Sequence, residues 1–394
     1  MSQVQLSALI AFVFFGVIPS IGVITTRAHW RSFRRAVVQA ALTPRAGSRT
    51  VHSAYERDGE IGEYRFFGTI EALQADNRLW IRNGNSSVEI EMSNATVCLL
   101  PEDSPPQYRY GDNGTALGLE SLIPTQSMPE IVPWSRMSSL TEGTSVLVCG
   151  RLVSEHGVPV FRGTGRRGPL VVMYDGPPTQ LLARAIWFGR HRNEYWNAVT
   201  PTSLVAGMLI LVIMTARALS VAGGYVAGIL TLGLAAIPVL PLMPPGVIGY
   251  FVYRRLWLKG RGHRAWRDLL QLSLLYPRDE GDGVARLPDG ESYLGMEIEP
   301  SAIELYLSRG AVLRTATGRM DARRWMVFGS LREGEIGRPS DPMAEFVILP
   351  ADPAERSRRS AILAYVWELV ALSALGVSML VNFALLIRFL PMVL

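Results

Sequence analysis

Few residues in this chain have the types and the spacing that catalysis or metal binding requires. Residues 163–168, Gly-Thr-Gly-Arg-Arg-Gly, match the glycine spacing of a dinucleotide-binding loop. Pro169 and a branched apolar run follow where that loop needs a helix, so we predict a glycine-rich turn. His191 and Glu194 have a spacing known from metal ligands, but no second pair accompanies them, which favours a solvated helix surface.

One cysteine and two residues near the C-terminus are the other candidates for chemistry. Cys149 lies in an alternating apolar pattern, so we interpret it as a core thiol rather than a nucleophile. Glu368 lies about two turns inside the last apolar stretch, where an ionised carboxylate costs roughly 2–3 kcal/mol. It is either an intramembrane functional group or an interfacial residue beside Trp367. Asn382 is expected to bond across helices.

The composition of the 394-residue chain indicates a folded protein that lies partly in a membrane. Its mean hydropathy is +0.19 and 48% of its residues are hydrophobic, which excludes a disordered chain. Two cysteines are too few for a disulfide scaffold or a four-cysteine zinc module. The prolines between Pro238 and Pro245 predict that one of the apolar stretches is kinked or broken. Four stretches are long and apolar enough to span a bilayer, at approximately 6–25, 202–216, 225–253 and 361–387.

Basic residues flank these stretches mainly on one side, and all 39 except Lys259 are arginine. Because cytoplasmic flanks of spans carry the excess of basic residues, we predict a multi-pass protein of the inner (cytoplasmic) membrane. Both termini would lie outside, and the polar segments 26–200 and 254–360 would be cytoplasmic. Seven flanking arginines are predicted to lie at the membrane interface and contact lipid phosphate: Arg31, Arg34, Arg35, Arg254, Arg255, Arg264 and Arg267.

Two basic amphipathic helices are predicted next to the spans, at residues 30–42 and 261–275. Each combines arginine with tryptophan and leucine, a pattern typical of helices that lie along an anionic membrane surface. Nucleic-acid binding is the rival interpretation of an arginine cluster. Each cluster adjoins a span, which favours lipid.

The polar segments predict short β-strands, with a two-residue hairpin turn at His156-Gly157. Their number and spacing suggest two small barrels of OB-like or SH3-like size. The predicted strands are 63–73, 78–82, 88–92, 145–153, 158–162 and 170–174 in the first segment, and 292–298, 303–307, 311–315, 325–330 and 345–349 in the second.

The two halves of the chain resemble each other, which predicts a tandem duplication. Residues 148–152 align with 327–331, Phe67 aligns with Tyr293, and the basic segments after the first and third spans share a Pro-Arg end. Each copy would consist of a span, a basic helix, a β domain and a span, so the copies run parallel. The first copy carries an insertion of about 47 residues. The alternative is that the two halves resemble each other without a duplication, because any cytoplasmic domain between two spans acquires basic flanks.

The predicted fold is therefore an α+β membrane protein with four transmembrane helices and two small cytoplasmic β domains. In residue numbers these are a first span (1–26), a basic helix (27–50), a first β domain (51–183, with a loop insertion at about 93–139), a basic connector (184–200), the second and third spans (201–253), a basic helix (254–277), a second β domain (278–355) and a fourth span (356–394).

A family resemblance rests on the order of elements in the first copy. The segment Leu140 to Leu152 is followed by Pro169-Leu170, a basic helix and a span. This order resembles the β domain of the membrane-anchored GIDE/MULAN ubiquitin ligases and their bacterial relatives, which is also held between two spans. Those ligases end in a RING finger with cysteine and histidine ligands. This chain has no such cluster, so the resemblance implies a membrane-held β domain without ligase activity.

These observations predict a membrane scaffold that is not an enzyme and needs no cofactor or metal. Its β domains would bind a cytoplasmic protein partner or each other. The protein would contact the lipid bilayer and would not bind nucleic acid. The sequence is also compatible with a homo-oligomer. The alternative is a transporter or channel accessory subunit that uses the kinked third span and Glu368. An enzyme with a site between the β domains is a third hypothesis, for which the sequence offers no residues.

Overall fold

A computed structural model describes residues 2–74, 77–93, 95–100, 130–137, 142–163, 168–191, 197, 199–221, 223–278, 284–315 and 322–393. The chain forms two compact units. The helical unit comprises Met1–Ser32, Gly189–Ala265 and Arg358–Leu394, and the β unit comprises Phe33–Phe188 and Trp266–Ser357.

Three helical stretches are long and apolar enough to cross a membrane, which indicates a membrane protein. They are Gln3–Leu42, Val199–Leu219 and Pro353–Phe389. A π-helical turn, Val13–Val17, interrupts the first of them. The α-helices are α1 (Gln3–Phe12), α2 (Ile18–Leu42), α3 (Ser48–Glu56), α4 (Leu181–His191), α5 (Val199–Leu219), α6 (Tyr225–Ala235), α7 (Pro244–Leu272), α8 (Ile303–Ser308) and α9 (Pro353–Val393).

The third apolar stretch is broken, as its prolines predict. Helix α6 ends at Ala235, a 3₁₀ segment covers Ile237–Leu242, and α7 begins at Pro244. Proline has no N–H to donate and its ring clashes with the preceding turn, so an uninterrupted α-helix cannot form here. With 11 residues, α6 alone is too short to span a bilayer.

Polar contacts join α1, α5 and α6 within the helical unit. The Gln3 side chain donates to the carbonyl of Met214 at 3.2 Å, and the hydroxyls of Ser7 and Thr231 lie 3.0 Å apart. Because hydrocarbon offers no alternative partner for such groups, side-chain hydrogen bonds of this kind hold membrane helices together.

Helices α7 and α9 approach closely at glycines. A Cβ added at Gly249 would lie 2.0 Å from Ser378 Oγ, and one added at Gly260 would lie 2.9 Å from Glu368 Cγ. Small residues at a helix interface let the backbones meet, which brings polar side chains of one helix against the other.

The first β domain contains a barrel-like ring of five strands. Strand β1 pairs with both β2 and β6, and the order β1-β2-β3-β7-β6 returns to β1. Only β3 and β7 run parallel in this ring. From β6 the sheet continues through β8 and β4 to β5. The strands are β1 (Gly59–Gln74), β2 (Arg78–Asn83), β3 (Ser86–Glu91), β4 (Thr96–Leu100), β5 (Glu130–Pro133), β6 (Ser145–Glu155), β7 (Val158–Arg162) and β8 (Leu170–Tyr174).

The sequence explains how this ring closes. Strand β1 has 16 residues and two irregularities in its register, which allow it to bend and serve two neighbours. His156 and Gly157 both have positive φ, +53° and +76°, as the predicted hairpin turn between β6 and β7 requires. Alternate residues, among them Leu79, Ile81 and Val148, fill the interior.

The second β domain is an open sheet in the order β11-β14-β12-β10-β9, with β13 paired to β12. Trp325, Val327, Ile348 and Tyr306 of α8 are among its core residues. Its strands are β9 (Ala285–Arg286), β10 (Ser292–Ile298), β11 (Val312–Leu313), β12 (Trp325–Arg332), β13 (Glu335–Gly337) and β14 (Val347–Pro350).

Two predictions within the β domains are wrong. Residues 303–307 form helix α8 instead of a strand, because Ile303, Tyr306 and Leu307 have the i, i+3, i+4 spacing of a helix face and all three are buried. The insertion at about 93–139 is not only a loop, since it contributes β4 and β5 to the sheet. Its residues 94, 101–129 and 138–139 lie outside the described part of the chain.

The two predicted amphipathic helices are continuations of α2 and α7 rather than separate surface helices. Their apolar faces are buried in protein, as Val37, Ala41, Trp266 and Leu270 illustrate. The prediction that these faces lie on lipid is therefore wrong. No proline follows Pro19 within α2 or Pro245 within α7, so nothing ends these helices at the membrane flank.

Candidate functional site

The seven predicted interface arginines have different surroundings. Four of them have exposed side chains that are free to meet lipid phosphate: Arg31, Arg35, Arg254 and Arg255. Arg34 is buried, and the guanidinium of Arg267 donates to its neighbour Asp268 at 2.6 and 2.8 Å. Arg264 binds Glu368.

Glu368 is a paired carboxylate. Arg264 donates from Nε to Glu368 Oε1 at 2.5 Å and from Nη2 to Oε2, a bidentate arrangement that is among the strongest ion pairs. The carboxylate side chain is 12% exposed. Beside it, Lys259 Nζ lies 3.7 Å from the ring centroid of Trp367, a cation–π contact. The structure thus brings Glu368 together with a basic partner that sequence reasoning assigned to lipid.

Asn382 bonds across helices, as predicted. Its side chain is fully buried, and Nδ2 donates to the carbonyl of Leu240 at 2.7 Å, inside the break between α6 and α7. Its Oδ1 has no hydrogen-bond partner in the described part of the chain. The break exposes backbone carbonyls, and this amide satisfies one of them.

Among the remaining sequence candidates, the structure describes Cys149, which is not a reactive thiol. Burial raises the pKa of the Cys149 thiol to about 11, and it also raises the pKa of Cys98, so both thiols stay protonated. The described residues contain no group of three or more histidine, cysteine, aspartate or glutamate side chains that could hold a metal. Residues 164–167, Glu194 and the side chain of His191 lie outside the described part.

Sequence reasoning missed an ion pair that joins the two β domains. Arg65 of β1 donates from Nη2 to Asp341 Oδ2, and both side chains are fully buried. Asp341 also begins a turn, since its Oδ1 accepts from the backbone N–H of Met343 at 2.9 Å. The Nε and Nη1 atoms of Arg65 have no partner among the described residues.

A second buried ion pair lies in the same region. Arg314 and Glu345 form two hydrogen bonds, of 2.7 and 2.8 Å, and their side chains are 4% and 6% exposed. Tyr293 donates its hydroxyl to the Glu345 carbonyl at 2.9 Å and packs edge-on against Tyr276 with ring centroids 5.3 Å apart. Burial is the largest cause that raises the pKa of both phenols, and the nearby carboxylates raise it further. Both phenols therefore remain neutral donors.

A cavity of about 310 Å³ opens where the two β domains meet, and we call it the seam cavity. Thr179 and Gln180 line it from the first domain, and Arg314, Arg338, Asp341 and Glu345 line it from the second. A signal for these residues exists in the sequence: Arg65, Arg314 and Glu345 are charged residues within or beside apolar strands. Such positions are rarely buried unless they are paired.

The arrangement can bind but shows no catalytic geometry among the described residues. Arg314 pairs with Glu345 and Asp341 pairs with Arg65, while Arg338 at the cavity has no ionic partner among the described residues. Comparison of the chain with protein families, with curated proteins and with solved structures found no match.

Proposed function

We propose that this protein is an integral membrane scaffold that presents two β domains as one binding body at the cytoplasmic face and catalyses no reaction. The observation that carries the proposal is the buried Arg65–Asp341 pair, which joins the two domains beside a cavity lined by both. A buried ion pair of this kind holds the two small domains together, so that their surfaces form one composite surface.

The contacts of the helical unit support four spans with the termini on one side. Along α9, Ile387 lies nearest to Gly233 of α6, Ser378 to Gly249 and Glu368 to Gly260. Helix α9 therefore runs antiparallel to α6 and α7 taken together, which is the arrangement expected of one broken span. The basic ends of α2, α7 and α9 would then face the cytoplasm.

Strand order supports an OB-like first domain. A five-stranded ring with one parallel pair is the arrangement of that barrel, whose second and third strands bind oligonucleotides in many proteins. Here that face carries balanced charge, because Arg78 binds Glu89 at 2.6 Å and Arg82 binds Glu71 at 3.1 Å. A neutralised face favours a protein partner over nucleic acid.

The two sheets support the proposed duplication. In each, a long strand pairs antiparallel with an earlier strand (β6 with β1, β12 with β10), forms a hairpin with the next, and pairs with a last strand that has a parallel neighbour. The second domain has no counterpart of β2 and β3 in its described residues and carries α8 at that point.

Two glycines occupy equivalent places in these sheets. A Cβ at Gly150 would lie 2.5 Å from the carbonyl oxygen of Arg162, and one at Gly329 would lie 2.5 Å from that of Gly337. Tyr64 opposes Gly150 and Leu294 opposes Gly329 in the ladders. The first strands therefore align Tyr64 with Leu294, and the sequence alignment of Phe67 with Tyr293 is displaced along the strand.

Site-specific photo-crosslinking in native membranes tests the scaffold. A photo-reactive amino acid at Thr179, in the seam cavity, should yield an adduct with another protein, whereas one at the exposed Ser301 should not. An adduct between two copies of this chain would assign the partner as a homo-oligomer. Repeated recovery of the uncrosslinked chain from both positions would count against a scaffold.

A transporter accessory role is the second candidate, favoured by the broken third span with the buried Asn382 amide at its break. The pairing of Glu368 with Arg264 weighs against it, because a carboxylate on an ion path must be free to change partners. Glu368→Gln should abolish any flux measured in proteoliposomes. An unchanged flux would remove this candidate.

A further inference from the structure

The lining of the seam cavity contains two arginines and two carboxylates, and Arg65, which is not a lining residue, adds the positive charge that pairs with Asp341. Arg314 is neutralised by Glu345, and Asp341 is neutralised by Arg65. Arg338, exposed at the cavity, has no ion-pair or hydrogen-bond partner among the described residues. The cavity therefore attracts one negative charge.

One of the lining arginines also has a hydrogen-bond donor that is not used among the described residues. The Nε of Arg314 is buried and has no acceptor in the described chain, while both carboxylate oxygens of Glu345 already accept hydrogen bonds. That atom is fully buried, so the exposed guanidinium of Arg338 is the donor group that a ligand in the cavity would meet. The guanidinium fork suits a planar anion such as a carboxylate.

Part of the remaining lining is apolar and the space is limited. Leu307, Ala311, Val312 and Phe346 line the cavity beside the polar Thr179 and Gln180. A volume of about 310 Å³ is at the lower end of the range for ligand pockets, roughly 300–1,000 Å³. The occupant must therefore combine one anionic group with a short apolar body.

We propose that the seam cavity binds a carboxylate carried on a short apolar stem, with Arg338 as the principal contact. The carboxylate comes either from a free small acid or from the C-terminus of a protein partner. The inference deepens the proposed scaffold and rests on it only for the second source.

Ligand-detected NMR on the full-length protein in detergent tests the proposal with hexanoate, hexanol and hexylamine as probes. Hexanoate should bind, and the neutral and cationic analogues should not. Arg338→Glu should weaken hexanoate binding about ten- to a hundredfold, since a charge-assisted contact is replaced by repulsion. Arg323→Glu is the matched control, because Arg323 is an exposed arginine of the same domain that does not line the cavity.

A second variant and a second probe complete the design. Thr179→Trp should fill the cavity from the first domain and also reduce hexanoate binding. A short peptide with a free apolar C-terminus, compared with its C-terminal amide, decides the source of the carboxylate. If the free peptide binds more tightly than hexanoate and the amide does not, the ligand is a protein partner. If the free peptide binds no more tightly than hexanoate, the ligand is a free acid. Absence of hexanoate binding, or equal binding by Arg338→Glu and Arg323→Glu, would overturn the proposal. A Thr179 crosslink that persists in Arg338→Glu would leave the scaffold standing without the carboxylate.

Discussion

Arg65 in the first β domain and Asp341 in the second form an ion pair with both side chains completely buried, although 276 residues separate them in sequence. Removing both charges from water is costly, and the single contact leaves two nitrogens of Arg65 without partners. The pair is therefore better understood as a device that specifies how the two domains meet than as a source of net stability.

Breaking this pair from one side should be severe. Asp341→Asn should lower the free energy of unfolding by roughly 3–5 kcal/mol, because Arg65 then keeps a buried charge without a counter-ion. Thermal or urea unfolding in detergent measures the change. The double variant Arg65→Met/Asp341→Leu should recover much of it. Glu60→Gln, which breaks the exposed pair with Arg151, should cost less than about 1 kcal/mol. Equal losses of unfolding free energy in Asp341→Asn and Glu60→Gln would contradict this prediction.

Helix contact at Gly249 should be intolerant of a side chain. Gly249→Ala places a methyl group 2.0 Å from Ser378 Oγ, so α7 and α9 must separate and the apparent Tm should fall. Gly376→Ala, on α9, is the control, because an added Cβ there meets nothing within 4 Å. Alanine also favours the helix over glycine by about 1 kcal/mol, so this control should be neutral or stabilising. A similar Tm for both variants would refute the proposed contact.

The proposed equivalence of Gly150 and Gly329 can be tested by substitution. Gly150→Ala and Gly329→Ala should each destabilise the β unit by about 1–3 kcal/mol, as in other overpacked cores, because the methyl group would press against a backbone carbonyl. Gly337→Ala, where a Cβ finds open space, serves as the reference. Unfolding curves followed by near-ultraviolet circular dichroism would report the losses. Tolerance at only one of the two glycines would count against the duplication.

Glu291 should make the second β domain sensitive to acid. Burial acts to raise its pKa, but hydrogen bonds from Ser330, Ser340 and Arg332 outweigh burial and lower the pKa to about 2. A carboxyl whose pKa is lower in the folded state adds stability above its ordinary value of 4.5, and this stability disappears as the pH falls toward 2. Glu291→Gln should therefore lower the free energy of unfolding at pH 7. It should also reduce the fall of this free energy between pH 4.5 and 2. Glu333→Gln, at an exposed position, should reproduce the wild-type profile.

Local patterns in the sequence were sufficient for much of the fold. Short runs of apolar and branched residues predicted β7 and β8 to the residue, and the His156-Gly157 turn was recognisable because few dipeptides accept two positive φ angles. The three long apolar helices and the break in the third apolar stretch follow from hydropathy and proline alone. These features depend only on neighbours in sequence, so the sequence by itself determined them.

Tertiary structure decided the rest, because those outcomes depend on contacts between distant residues. Residues 303–307 have both strand and helix character, and burial against Trp325 and Phe346 selects the helix. Nothing near Arg65 in sequence indicates Asp341, and nothing near Glu368 indicates Arg264. An isolated arginine next to a membrane span looks like a lipid contact, and only packing against a carboxylate more than a hundred residues away gives it another partner. Charge pairing inside a protein is set by the three-dimensional neighbours of each group, and sequence spacing carries no information about them.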